Sequence, residues 1–234
     1  MKRIVLVVTG AVLFLSANAY AYKDGDFQVW NTDTEEFKID KDTKMILEQE
    51  FRWGGSAKDF YYQHYDLGFF YNPRKYLNVG AGYRHVLSKS NNKFFVENEP
   101  YITATLLWDI SGFKFDDRSR LEYNHFDYKD DTWTYRNKFT VKSPWKFTPL
   151  EKLKDMLPYF LSGFTKLEIQ PYVSDEIFVL FDDGQRLNKN RATAGLAMTI
   201  TKNLKGEIYY MLQSSKSRKW TEANVLGTKL KLAF

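Results

Sequence analysis

The chain ends Val225-Leu226-Gly227-Thr228-Lys229-Leu230-Lys231-Leu232-Ala233-Phe234. In an extended backbone Leu226, Thr228, Leu230, Leu232 and Phe234 share one face, and Gly227, Lys229, Lys231 and Ala233 share the other. Strict period-2 alternation of this kind marks a β-strand with one apolar face and one polar face. The pattern recurs upstream. Ile208, Tyr210 and Leu212 oppose Glu207, Tyr209 and Gln213; Ala192, Ala194, Leu196 and Met198 oppose Arg191, Thr193 and Gly195; Tyr65, Leu67, Phe69 and Tyr71 oppose His64, Asp66 and Gly68. In nearly every segment an aromatic or aliphatic face stands against a charged one.

Composition narrows what such strands can build. The 234 residues include 16 Tyr, 19 Phe and 6 Trp, so that 18% of the chain is aromatic, and no cysteine. A disulfide framework and a thiolate metal site are therefore excluded. A soluble sandwich would carry a few strands apolar on both faces, and a helical membrane protein would carry apolar runs of ~18 residues. The mature part of this chain has neither. A transmembrane barrel needs apolar residues only at alternate positions and collects aromatics at its two rims. The expected fold is thus all-β: a transmembrane, antiparallel up-and-down barrel of about 10–12 strands.

Residues 1–21 read as an export signal. Lys2 and Arg3 precede an apolar run from Ile4 to Leu15, and Ala19-Tyr20-Ala21 fits the small-x-small cleavage rule. Cleavage there leaves 22–234 as the barrel domain, with 32 basic against 29 acidic residues. That balance argues against a nucleic-acid partner, which calls for a basic stripe.

Ten strands can be placed from residue 44 onward. Connections after residues 39, 71, 108 and 201 are short, and those after 53, 87, 126, 181 and 213 are longer and more polar, including a loop from Asp182 to Asn190 and a basic one from Ser214 to Thr221. In bacterial barrels the short turns face the periplasm. The ragged stretch 27–39 then lies outside the wall or belongs to a twelve-stranded one, since such barrels carry even strand counts. Near residues 149–157, Thr148-Pro149 followed by Leu150, Leu153, Met156 and Leu157 predicts one short amphipathic helix, ended by Pro158.

The inward faces carry both signs of charge: Glu48, Glu50, Arg52, Arg84, Glu97, Glu99, Arg118, Arg120, Glu122, Arg136, Lys138, Glu168, Glu176, Arg191, Glu207, Lys229 and Lys231, together with His64 and Asp66. Ions in a poorly solvated interior pair with one another. A largely filled, salt-bridged lumen is expected, with a narrow charged passage for small solutes as the other reading. If the wall closes between the last strand and the one starting at residue 44, Lys229 and Lys231 meet Glu48 and Glu50 there.

Gly227, Leu230, Leu232 and Phe234 resemble the C-terminal insertion signal of bacterial outer-membrane barrels. Arg118-Ser119-Arg120-Leu121-Glu122-Tyr123, Asp175-Glu176, Asn190-Arg191, Gly195-Leu196 and Trp30 resemble, in order and spacing, a family of uncharacterised bacterial outer-membrane barrels, a domain of unknown function. The resemblance covers nearly all of residues 22–234 and departs from the family at 143–163, which is longer than a simple turn. Lipid, lipopolysaccharide and the barrel-insertion machinery are the expected partners and a monomer the favoured state; the resemblance itself implies a barrel in the cell outer membrane. It implies no activity.

Some outer-membrane barrels are acyl hydrolases or transferases, which makes a lipid-modifying enzyme the alternative. His64 and Asp66, two apart on one face, are its weak catalytic candidates, since a carboxylate can orient an imidazole. No Ser stands in a Gly-x-Ser-x-Gly setting. Neither a metal nor another cofactor is expected.

Overall fold

The computed structural model of the protein describes residues 24–90, 93–148, 167–182, 184–216 and 219–234. The export segment expected at 1–21 and the helix expected near 149–157 fall outside the described residues. Eleven strands make up the fold: β1 (Asp26–Lys38), β2 (Thr43–Gly54), β3 (Asp59–Arg74), β4 (Leu77–Ser90), β5 (Lys93–Ile110), β6 (Phe113–Phe126), β7 (Thr132–Lys142), β8 (Glu168–Asp182), β9 (Gly184–Thr199), β10 (Leu204–Lys216) and β11 (Trp220–Ala233). Each pairs antiparallel with its neighbours in sequence, and the sheet closes on itself where β1 meets β11.

Eleven strands fall within the expected 10–12, and the closure settles the place of the first stretch. The stretch 27–39, expected either outside the wall or in a twelve-stranded one, forms β1, a full stave between β2 and β11 of an eleven-stranded wall. The ladder joining β1 to β11 is parallel, with Asp26 level with Ala223 and Glu36 level with Ala233. An all-antiparallel up-and-down barrel needs an even number of strands. One parallel seam removes that requirement, so eleven close. The sequence reads as ragged here because β1 is polar on both faces: Thr32, Thr34 and Glu36 point inward, while Asn31, Asp33 and Glu35 point outward along the seam. Asn31 donates to the Thr228 hydroxyl at 3.1 Å across it.

Following paired residues once round the wall from Lys38 leads to Thr221 on β11, two positions before the partner of Asp26. One circuit therefore climbs about 14 residues along β1, an even stagger that returns inward positions to inward positions. Eleven strands ~4.8 Å apart and tilted by about 40° enclose a backbone cylinder of about 11 Å radius. Long side chains reaching in from opposite walls fill most of that width.

The hairpins run further than their polarity suggested. The loops expected at Asp182–Asn190 and Ser214–Thr221 are mostly strand: only position 183 separates β8 from β9, and β10 runs on to Lys216. Strand pairing persists there because ladder hydrogen bonds do not require an apolar face. The connections after β2, β4, β6, β8 and β10 lie at one end of the barrel with Asp24. Those after β1, β3, β5, β7 and β9 lie at the other with Phe234. The two described ends of the chain are thus on opposite rims.

Burial follows the pleat in an inside-out sense. The side chains hidden from solvent are mostly polar or charged, among them Glu50, His64, Asp66, Arg84, Glu99, Arg120, Glu122, Arg136 and Glu176. The exposed ones include Leu67, Ile102, Leu106, Val173, Leu196, Ile208 and Leu226. Outward aromatics gather near both rims. Phe51, Trp53, Phe60 and Phe94 form a chain of tilted contacts towards the Asp24 end; Trp108, Phe115 and Phe139 cluster towards the other, where Phe37 stacks on Phe234 at 5.2 Å. A small apolar core of Trp30, Tyr172, Tyr209, Met211 and Val225 sits inside the wall beside the seam.

Candidate functional site in the barrel lumen

Two inward glycines show how the lumen is fitted together. A Cβ on Gly82 would run into the Tyr101 ring, and one on Gly227 would run into the Tyr209 ring. In each case the tyrosine sits directly across the ladder from the glycine. A glycine facing an aromatic gives the ring room to lie against the wall, a device that pins register. Tyr101, so placed, reaches Asp66 with its hydroxyl at 2.7 Å. Gly227 thus has a packing role within the folded wall.

From Asp66 a chain of ion pairs crosses the lumen. Arg84 lies between Asp66 and Glu99, 3.0 Å from each. Glu122 receives Arg136 at 2.7 Å and stands 3.7 Å from Arg84. Glu176 receives Arg136 at 2.8 Å and Arg118 at 2.6 Å, with Arg191 at 3.5 Å. Towards the Asp24 rim Arg52 bonds Glu50 at 2.6 Å and is sandwiched between the rings of Trp30 and Tyr62, 3.7 and 3.8 Å from their centroids. Such stacking suits a planar guanidinium that has lost much of its water.

Eighteen of the nineteen inward residues named above, His64 and Asp66 included, share one cavity. Glu48, Glu50, Arg52, His64, Asp66, Arg84, Glu97, Glu99, Arg118, Arg120, Glu122, Arg136, Lys138, Glu176, Arg191, Glu207, Lys229 and Lys231 all line one cavity of about 830 Å³. Glu168 does not; it pairs with Lys146 at 2.7 Å where the chain beyond β7 folds back along the start of β8. Glu48 and Glu50 are not the direct partners of the last strand, because β1 stands between. Lys231 reaches Glu36 of β1 at 2.6 Å, while Lys229 lies in the field of Glu207, Glu48 and Glu50.

The pairing of His64 with Asp66 does not occur. Asp66 is taken by Arg84 and Tyr101, whereas the His64 ring nitrogens meet the Tyr62 hydroxyl at 3.1 Å and Glu48 at 3.3 Å. With both nitrogens engaged, His64 joins β2 to β3 and has no free position from which to activate a serine. No group of three or more His, Cys, Asp or Glu that could hold a metal occurs among the described residues.

Register adds a feature that alternation along single strands did not reveal. Arg118 is paired across the ladder with Lys138, and Arg120 with Arg136. Four cations therefore occupy a two-by-two block on the inner face of β6 and β7, where directly opposed like charges are unfavourable. Glu122 and Glu176 satisfy only part of it. Arg120 approaches Glu122 no closer than 3.6 Å, and its Nε and Nη1 have no hydrogen-bond partner; nor has Nε of Arg118. The signal was present in the sequence as Arg118-Ser119-Arg120 and Arg136-Asn137-Lys138, but only the register brings the two together.

A family model described as a protein of unknown function, DUF2490, matches residues 27–224. The chain belongs to that family. The match takes in β1 and extends into β11, so the wall and its ion-pair network lie almost wholly within the DUF2490 region. No curated protein and no solved structure matches the chain.

Proposed function

We propose that this DUF2490 barrel is an integral protein of the bacterial outer membrane whose lumen forms a narrow, charge-lined passage or binding chamber for small solutes. The observation that carries the reading is the inverted burial: charged side chains inside the wall, Leu, Ile, Val and aromatic side chains exposed outside it. In water an outer surface of that kind would be an aggregation liability; in a bilayer it is the required lipid face, and the aromatics near both rims match interfacial girdles. The segment 1–21, read as an export signal, and the alternation of Leu226, Leu230 and Leu232 against Lys229 and Lys231 in β11 support the same setting, with lipid and lipopolysaccharide around the wall and the barrel-insertion machinery acting on β11. The Phe234 rim then faces the periplasm and the Asp24 rim faces outside.

Membrane fractionation followed by unheated and heated gel electrophoresis tests this reading, with a heat-modifiable band expected in the outer-membrane fraction. Small epitopes placed next to residue 24 and after Phe234 should be accessible from opposite faces. Recovery in the soluble periplasmic fraction, or both epitopes on one face, would overturn it. In planar bilayers the purified protein should show small, discrete conductance steps.

A further inference from the structure

We infer that the Arg118–Lys138 row of the cation block of β6 and β7 is one wall of a binding site for a phosphate group carried by a small solute. The inference deepens the passage reading above and rests on it only for the route by which the solute arrives. Basic side chains outnumber acidic ones nearly two to one around the large cavity, although the chain as a whole is close to balanced. The excess positive charge is therefore concentrated inside the wall. A cleft lined by one sign of charge with low-dielectric walls raises the local concentration of counter-ions.

The excess is sharpest towards the Phe234 rim. Arg118, Lys138, Lys142 and Lys229 line a smaller cavity of about 190 Å³ with the hydroxyl-bearing Thr105, Thr140 and Tyr172. Two acids share it. Glu207 already accepts the Tyr172 hydroxyl at 3.0 Å, and Asp116 is the other. Lys138, Lys142 and Lys229 form no ion pair within 4 Å among the described residues, and Arg118 spends one nitrogen on Glu176 while its Nε remains unbonded. Arg118 and Lys138 line both cavities, so they stand where the two meet.

Cations that repel one another across a ladder, and that the protein leaves only partly neutralised, would lower stability unless an anion completes them. Convergent Arg and Lys donors with nearby hydroxyls suit a tetrahedral oxyanion, Arg by its planar fork and Lys as a point charge. Four cations against two acids leave an excess that suits a dianion better than a single carboxylate. That selects phosphate over acetate.

The test uses the full-length folded protein in detergent, with inorganic phosphate as the probe and sodium chloride holding ionic strength constant. Calorimetry should show saturable phosphate binding, at least tenfold tighter than acetate, and phosphate should raise the unfolding temperature. Lys138→Gln should weaken phosphate binding by tenfold or more. Without phosphate it should unfold no earlier than the parent, because it removes a repulsion; a purely structural lysine would give the opposite result. Lys41→Gln, on the exposed β1–β2 turn, should leave binding unchanged. Heat-modifiable migration verifies that each variant is folded, and Arg118→Gln provides a second variant should Lys138→Gln fail that check. Unsaturable binding, acetate as tight as phosphate, or parental affinity in a folded Lys138→Gln protein would overturn the inference. Because binding is read in detergent, these outcomes are independent of fractionation and conductance, which test the membrane passage itself.

Discussion

Replacing Glu176 with Gln gives the most direct measure of how the filled lumen is held together. The side chain is only 5% exposed and receives Arg118 at 2.6 Å, Arg136 at 2.8 Å and Arg191 at 3.5 Å. Gln preserves volume and still accepts a hydrogen bond, so the change isolates charge. Arg136 keeps Glu122 at 2.7 Å. Arg118 and Arg191 retain no carboxylate within 4 Å among the described residues. Removing one member of a buried ion cluster costs about 3–5 kcal/mol. The adjoining cavity of about 830 Å³ has room for water to reach the orphaned guanidiniums, so the lower end of that range, about 3 kcal/mol, is expected. Urea unfolding in lipid vesicles, followed by tryptophan fluorescence, measures it. Adding Arg118→Gln to the same chain should recover about 1 kcal/mol or more, since a charge left unpaired by the first change is removed by the second. A loss below about 1 kcal/mol for the single variant, or strictly additive losses for the pair, would refute the view that Glu176 neutralises this cluster.

Three further outcomes follow from other parts of the wall. Gly227→Val should displace the Tyr209 ring and cost about 1–3 kcal/mol, as overpacking does, with Tyr209→Ala in the same chain giving part of it back; an unchanged unfolding midpoint would contradict the close approach. Ile102→Arg, at the outward centre of β5, should cost about 2–4 kcal/mol in vesicles; a loss below about 1 kcal/mol would argue against a position facing the middle of the bilayer. In the β6–β7 connection, the Tyr123 hydroxyl, the His125 ring and the Phe126 amide hold the Asp131 carboxyl down at about 2. A carboxyl depressed in the folded state stabilises the connection above its unfolded value near 3.8 and loses that effect as pH falls through about 2. The Phe126 amide resonance should therefore titrate with a midpoint near 2, and a midpoint at the ordinary aspartate value would show that the hydrogen bonds do not form.

The fold was legible wherever one face of a strand is apolar and the other charged. From residue 44 to Phe234 the alternation assigned the inward residues of β2 to β11 and sorted the connections into two ends. It was weakest at β1, where Asn31, Asp33 and Glu35 put polar groups on the outer face as well, and the expectation of even strand counts left that stretch outside the wall or in need of a twelfth strand, where a parallel ladder accommodates it alone. It also stopped strands early at Asp182 and Ser214, because loss of apolar character was read as loss of pairing. Of the lumen, the identity of the inward charges could be read, but not their partners. Which acid meets which base depends on register and stagger: Asp66 turns to Arg84 and Tyr101 rather than to His64, and Lys231 turns to Glu36. The cation block of β6 and β7 is the clearest instance, since neither strand alone carries it.

The seam between β1 and β11 makes this wall a hoop with a clasp. A parallel ladder holds slightly less firmly per residue than an antiparallel one, and this one joins strands whose paired residues stand almost a whole chain length apart. Every other ladder can form as soon as neighbouring segments meet, whereas the clasp must wait for the last strand, because contacts between distant segments form late. Its outer side is polar, with Asn31, Asp33 and Glu35 along the joint. Assembly of the barrel therefore ends on one line down the wall, the line that turns an open sheet into a lumen.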